Sequence, residues 1–330
     1  MLIKCTDPNI RYTGRFGLFE STERPIMAAT ACGSYFDLIF QGRDTVLHFD
    51  VEDSFFPRGH MYISIDNSPR IEVAIDPYIR ISAQDDGPHR LNVIYKSAIE
   101  SQHRWHLPLS GKLAFVGIET DFPLLPVEPD NRPTIEFIGD SITEGIWVDT
   151  DCKYTQFTYY QNNFPWQNDS TATYAWLTAE KLNFRPYIMG YGSLGTTKRG
   201  NGGVPRVIES YPLNFQFSAT TFPSCDYIVI NHGANDYRNK ERYADAYYEF
   251  LKLVRTRNPE SKIIVLTPFF GKFEDELPEV VNRFNKEEKD NVYLISTRGW
   301  IPYEPIHPLR EGHKHIAELL YEAMQPIIKD

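Results

Sequence analysis

Along the first third of the chain, apolar and polar positions alternate with a period of two. Leu47, Phe49 and Val51 alternate with His48 and Asp50, and Met61, Ile63 and Ile65 with Tyr62, Ser64 and Asp66. After the turn Asn67-Ser68-Pro69 the series Ile71, Val73 and Ile75 repeats the pattern. Leu91, Val93 and Tyr95 form a further run, and Lys112 to Ile118 supplies another. Successive side chains of a strand point to opposite faces, so this period marks antiparallel strands with one face buried. Short turns between them predict two sheets packed face to face, a sandwich or jelly roll, from about Asn9 to Glu119. No helical stripe interrupts the region. Its histidines (His60, His89, His103 and His106) are isolated and read as surface or hydrogen-bonded residues.

The pattern then breaks. Phe122 to Pro133 carries four prolines in twelve residues, which sustains neither a helix nor a central strand. This stretch is a stiff, partly extended linker, and it divides the chain into residues 1–128 and 129–330. Beyond it, short apolar runs alternate with helical stripes. Strands are predicted at Thr134–Ile138, Pro186–Gly190, Tyr227–Asn231, Lys262–Thr267 and Val292–Ser296. Between them come a helix capped by Ser170 or Thr171 and reaching Leu182, and one carrying Tyr243, Tyr247, Phe250, Leu251 and Val254 inward. A charged helix follows near Glu274–Lys289, and a last one runs from Arg310 to Ile327. Strands alternating with helices predict a parallel sheet covered on both faces. Five strands suit the flavodoxin-like order 2-1-3-4-5. The polar and aromatic stretch Trp147 to Asp169 reads as an insertion, either a loop packed on itself or a wall of a substrate crevice.

Composition narrows the function. With 330 residues, 42% hydrophobic, the chain has material for two cored domains. Its net charge of −10 is spread without a basic block, which argues against nucleic acid or an anionic membrane as partner. No apolar run approaches the roughly 18 residues of a membrane span. The N-terminus lacks the apolar core of a signal peptide, so the expected location is the cytoplasm, or outside the cell if a leader has been removed. Cys5, Cys32, Cys152 and Cys225 are scattered without metal spacing. They read as buried or idle thiols, with a Cys5–Cys32 bridge left open. No cofactor and no metal are expected.

Three predicted strand ends hold the chemistry. Ile135 to Gly145 reads IEFIGDSITEG, a buried strand followed at once by Ser141. The third strand ends in NHGANDYRN, with Asn235 and Asp236, and EPIHPLREGH, with Glu304 and His307, precedes the last helix. In open α/β sheets such carboxyl ends gather on one edge, where ligands bind. Serine needs a base, which histidine supplies, and a tetrahedral intermediate needs donors for its oxyanion. Ser141 N–H, a glycine N–H from the loop GYGSLGTTKRGNGG and the Asn235 side chain meet that need. That loop lacks the acidic residue of a dinucleotide site. Asp140 and Asp236 read as turn-shaping residues, His313 and His315 as surface or packing residues, and His232 as structural.

These segments resemble the GDSL, or SGNH, hydrolase superfamily. Gly139–Ser141 resembles its nucleophile block, Gly233–Asp236 its G-x-N-D block, and His307 its catalytic histidine. The resemblance covers residues 134–330. It implies a serine hydrolase with Ser141 as nucleophile, His307 as base, and Asn235 with a loop glycine as oxyanion donors. Gly195 is favoured for that glycine, with Gly192 as alternative, and Ser193 fits another alignment. The family's acid three residues before its histidine is an Asp; here it is Glu304, which completes a triad or leaves a Ser–His dyad. A sandwich ahead of such a domain is similar to the family 2 carbohydrate esterases, which remove acetyl groups from polysaccharides. The resemblance therefore implies short-chain deacylation, acetyl first, of a sugar or another small ester. Alternatives are a lysophospholipase or thioesterase, or a carbohydrate-binding protein with a degenerate hydrolase half.

Overall fold

The computed structural model describes residues 1–21, 24–149, 164–302 and 305–329. Eleven strands come first: β1 Leu2–Lys4, β2 Arg11–Thr13, β3 Phe16–Ser21, β4 Arg24–Ala29, β5 Tyr35–Gln41, β6 Asp44–Phe49, β7 His60–Ile65, β8 Ile71–Ala74, β9 Tyr78–Ser82, β10 Pro88–Ser97 and β11 Leu113–Glu119. They form two antiparallel sheets, β3-β4-β11-β6-β9 with β1 beside β11, and β2-β5-β10-β7-β8. Leu38, Phe40, Leu47, Leu91, Val93 and Phe115, all fully buried, fill the space between them. Each such side chain contributes roughly 1.5–3 kcal/mol on burial. The expected sandwich is present, with β1–β5 and β9 added to the strands read from the sequence. Cys5 and Cys32 are both buried free thiols, so the bridge left open by the sequence does not form. Cys152 lies outside the described residues.

The second half carries β12 Thr134–Gly139, α1 Ser141–Glu144, α2 Tyr174–Leu182, β13 Arg185–Gly190, α3 Val207–Ser210, β14 Leu213–Phe215, β15 Ser218–Ala219, β16 Tyr227–Asn231, α4 Lys240–Arg257, β17 Lys262–Leu266, α5 Glu276–Glu288, β18 Tyr293–Ile295 and α6 Arg310–Lys329. Its parallel sheet runs β13-β12-β16-β17-β18, the 2-1-3-4-5 order. Tyr174, Ala179, Ile316, Leu320 and Met324 of α2 and α6 cover one face. Tyr243, Tyr247, Phe250, Val254, Leu277 and Phe284 of α4 and α5 cover the other. Helix α2 starts later than expected, because Asp169 caps a 3-10 turn at Ser170–Ala172 and the Thr173 hydroxyl then accepts from Trp176 N–H. The short hairpin β14–β15 was missed, since two- and three-residue strands leave no period to read.

The two halves share buried contacts. Tyr35 and Ile94 of the sandwich join the α2–α6 core, and Ala31 and Trp105 join the α4–α5 core. The Arg15 guanidinium, 1% exposed, donates to Glu136 of β12 at 2.7 Å. The Tyr211 hydroxyl donates to the same carboxylate at 2.9 Å. Lys96, also buried, donates to the carbonyls of Asn168 (2.8 Å) and Pro165 (3.2 Å). In the proline-rich stretch Leu125 N–H bonds the Ile39 carbonyl, which pins that segment to the sandwich.

Candidate active site

The parallel sheet delivers the segments to one edge. β12 ends at Gly139, and the chain turns at Asp140 directly into the single turn α1. Asp140 Oδ1 accepts from Ile142 N–H at 3.1 Å, the turn-shaping role expected of it. Its Oδ2 also accepts from Asn235 Nδ2 at 3.0 Å, which ties the first block to the third. Burial pushes the Asp140 carboxyl up to about 7, with the Asp236 charge adding to the effect.

Ser141 opens α1, and its Oγ lies 2.8 Å from His307 Nε2. Residues 166 positions apart in sequence thus meet at hydrogen-bonding distance. The Trp147 ring stands edge-on to the imidazole, with centroids 4.8 Å apart. Trp147 holds φ at +59°, a conformation bulky residues rarely adopt and that the surroundings must enforce. Burial pushes His307 down to about 4, so the imidazole is neutral near pH 7 and able to accept a proton. Glu304, the expected acid, lies outside the described residues.

The oxyanion side differs from the expectation. Gly195 N–H donates to the Lys198 carbonyl at 3.1 Å, and Gly192 N–H to Glu144 Oε2 at 2.7 Å. Both glycine amides point into structural bonds, so neither is available to an oxyanion. Ser193, between them, has φ +62°, lines the cavity, and its N–H meets no acceptor among the described residues. Asn235 Nδ2 donates to Asp140 and, at 3.3 Å, to the Leu194 carbonyl. Asp236 does more than shape its own turn. Its carboxylate accepts from Thr197 N–H (2.6 Å), Thr197 Oγ1 (2.6 Å) and Thr196 N–H (3.2 Å), fastening the loop after β13 to the end of β16.

The cavity above Ser141 has a volume of about 870 Å³ and is lined by Ser141, Asn235 and His307; a second, smaller cleft measures about 310 Å³. The smaller cleft lies between the halves around Asp37 and Trp176, away from the serine. Trp147 and Phe164, the described ends of the predicted insertion, line the larger cavity with Tyr237 and Phe270. Residues 150–163 of that insertion lie outside the described residues. Ile99, Glu100 and Ser101 of the sandwich half also line it. Nothing in the sequence pointed to this, because three loop residues after a strand form no pattern. His313 is buried and accepts from Tyr174 N–H at 3.1 Å, a packing role; His232 is buried as well, and His315 is exposed.

A GDSL-like lipase/acylhydrolase family model matches residues 137–315. No curated protein matches the chain. Among solved structures, a family two carbohydrate esterase from Cellvibrio japonicus superimposes with a TM-score of 0.79 at 17% identity, over 100% of this chain and 98% of that one. A family two carbohydrate esterase from Clostridium thermocellum in complex with cellohexaose gives 0.74 at 23% identity, over 97% and 99%. An acetyl xylan esterase from Butyrivibrio proteoclasticus gives 0.75 at 18%, over 100% and 98%. At these identities the likeness is one of fold: a β-sandwich joined to an SGNH domain.

Proposed function

Because the chain belongs to the GDSL-like lipase/acylhydrolase family, we propose that it is a serine esterase removing short acyl groups, acetyl first, from a carbohydrate. The observation that carries this reading is the 2.8 Å contact between Ser141 Oγ and His307 Nε2 on the floor of the cavity. With Nε2 as acceptor, the imidazole proton sits on Nδ1. As Ser141 Oγ attacks the ester carbonyl, its proton passes to His307 Nε2. The carbonyl oxygen becomes an oxyanion, taken up by the N–H groups of Ser141 and Ser193. Asn235 Nδ2 joins them when it exchanges its long bond to Leu194 for the stronger one to a charge. Collapse breaks the bond to the leaving alcohol, which takes the proton from His307. Water then repeats the sequence on the acyl-serine, releasing acid and free enzyme. Aromatic walls at Trp147, Phe164, Tyr237 and Phe270 suit sugar rings, and the neighbours' own names, acetyl xylan esterase and a cellohexaose complex, favour the same substrate class.

Hydrolysis of p-nitrophenyl acetate, butyrate and octanoate by the wild type and Ser141→Ala tests this, followed by acetylated xylo- and cello-oligosaccharides. Acetate activity lost in the variant, with unchanged thermal unfolding, is expected. Preference for octanoate would replace it with a lysophospholipase or thioesterase. No serine-dependent turnover of any ester would leave a sugar-binding protein.

A further inference from the structure

The sandwich lies directly on the loop that follows β13. Arg104 N–H donates to the Gly202 carbonyl at 2.9 Å, and Asn201 Nδ2 donates to Glu100 Oε1 at 3.1 Å. The fit is close enough that a Cβ on Gly192 would stand 1.6 Å from Glu100 Oε1. Beneath this contact the Arg104 side chain, fully buried, crosses from the sandwich to α1. Its Nη1 donates to Glu144 Oε1 and its Nη2 to Oε2 at 3.3 Å, while its guanidinium faces the Tyr191 ring at 5.2 Å. Glu144 Oε2 is also the acceptor of Gly192 N–H, at 2.7 Å. One carboxylate, three residues beyond the serine, therefore holds both the nucleophile's turn and the residue before Ser193.

We propose that Arg104 is a positioning residue supplied by the sandwich: it holds the Glu144 carboxylate aimed at Gly192 N–H, and so fixes the Ser193 amide that meets the oxyanion. This rests on the esterase reading above. The physical reason is that a buried carboxylate without its cation takes up a proton or turns away. The Gly192 amide then loses a charge-assisted acceptor, and the loop loses its register on α1. The sandwich is on this account part of the catalytic apparatus and not a separable module.

Three full-length variants test it. Arg104→Met leaves Glu144 buried and unpaired. Arg104→Met/Glu144→Gln and Arg104→Met/Glu144→Met carry no buried unpaired charge, and only the first keeps an acceptor for Gly192 N–H. Loss of one oxyanion donor costs on the order of a hundredfold in kcat, so kcat of Arg104→Met and of the Met double variant should fall by at least about tenfold. KM should stay within about twofold, because the interaction belongs to the transition state. The Gln double variant should recover most of kcat even where its Tm is no higher than that of the Met double variant. Amide hydrogen exchange over residues 191–195, read in the same proteins, should be fast in the first pair and slow in the Gln double variant. Wild-type kcat and slow exchange in the Met double variant would overturn the proposal, as would kcat that follows Tm across the three. Absence of ester turnover in the wild type would instead overturn the esterase reading, while the exchange pattern still decides the role of Arg104.

Discussion

Gly190→Ala is the sharpest test of how the sheet seats Ser141. Gly190 ends β13, opposite Gly139 in the parallel register. A Cβ there would lie 2.4 Å from Glu144 N, 2.7 Å from Glu144 Cα and 2.9 Å from the Thr143 carbonyl carbon. These are backbone atoms of α1, so no side chain can swing aside. Ordinary carbon contacts are ~3.5 Å, so something must retreat by about 1 Å. β13 is held by its ladder to β12, whereas α1 is a single turn; the turn moves, and Ser141 moves with it. A misplacement of about 1 Å costs on the order of a hundredfold in rate, or about 2.7 kcal/mol of barrier. Overpacking separately costs about 1–3 kcal/mol of stability. The expected result with p-nitrophenyl acetate is a kcat reduced about a hundredfold with a much smaller change in KM, in a protein that still unfolds cooperatively. A kcat within threefold of wild type, or a loss confined to KM, would refute the idea that this close approach sets the serine's position.

Other outcomes follow from burial and charge. His307 sits at about 4, so kcat/KM should hold on acidification until the pH nears that value; Trp147→Ala opens its surroundings to water and should move the acid limb up toward 6.5 in a pH–rate profile. His232 and His307 are both pushed down to about 4 and His313 to about 3 by burial, against 6.5 when unfolded. The unfolded chain binds these protons first, so stability is full above pH 6.5 and is lost as the pH falls toward 4, by a few kcal/mol for each group; Asp140, raised to about 7, works in the opposite sense over about pH 7 to 4. Urea midpoints at pH 7 and 4.5 should therefore drop less for His313→Gln than for wild type, and an equal drop would count against that assignment. Arg15→Met strands Glu136 inside the interface and should cost about 3–5 kcal/mol in denaturant, with Arg15→Met/Glu136→Leu regaining part of it; an unchanged midpoint would mean the pair is not buried in solution.

What the sequence made legible was local. IEFIGDSITEG announces strand, turn and serine within eleven residues, and β12, β13 and β16–β18 lie within a residue or two of their predicted places, because a buried parallel strand is a continuous apolar run. The order 2-1-3-4-5 that suits five alternating strands is the one found, and the carboxyl ends of parallel strands share one edge, so Ser141, Asn235 and His307 were assignable to that edge from the sequence. The loop after β13 was not legible in the same way. Its glycines invite an oxyanion role, yet an N–H is defined by what it faces, and Gly192 and Gly195 face Glu144 and Lys198. The contribution of the sandwich was hidden for a related reason. In an alternating strand a polar residue reads as the wet face, yet Lys96 of β10 is buried against the hydrolase half, as are Arg15 and Arg104 in the connections between strands. Alternation tells which residues leave the sandwich core. It does not tell whether they then meet water or another domain. That distinction is carried by partners 40 to 121 positions away, Glu144 for Arg104 and Glu136 for Arg15, each of which by itself is one more charged residue in a chain that is nearly a quarter charged. Cations removed from water at an interface persist only where such partners are fixed in place, so the rigidity that makes the Arg104–Glu144 pair costly to break also holds the loop after β13 still.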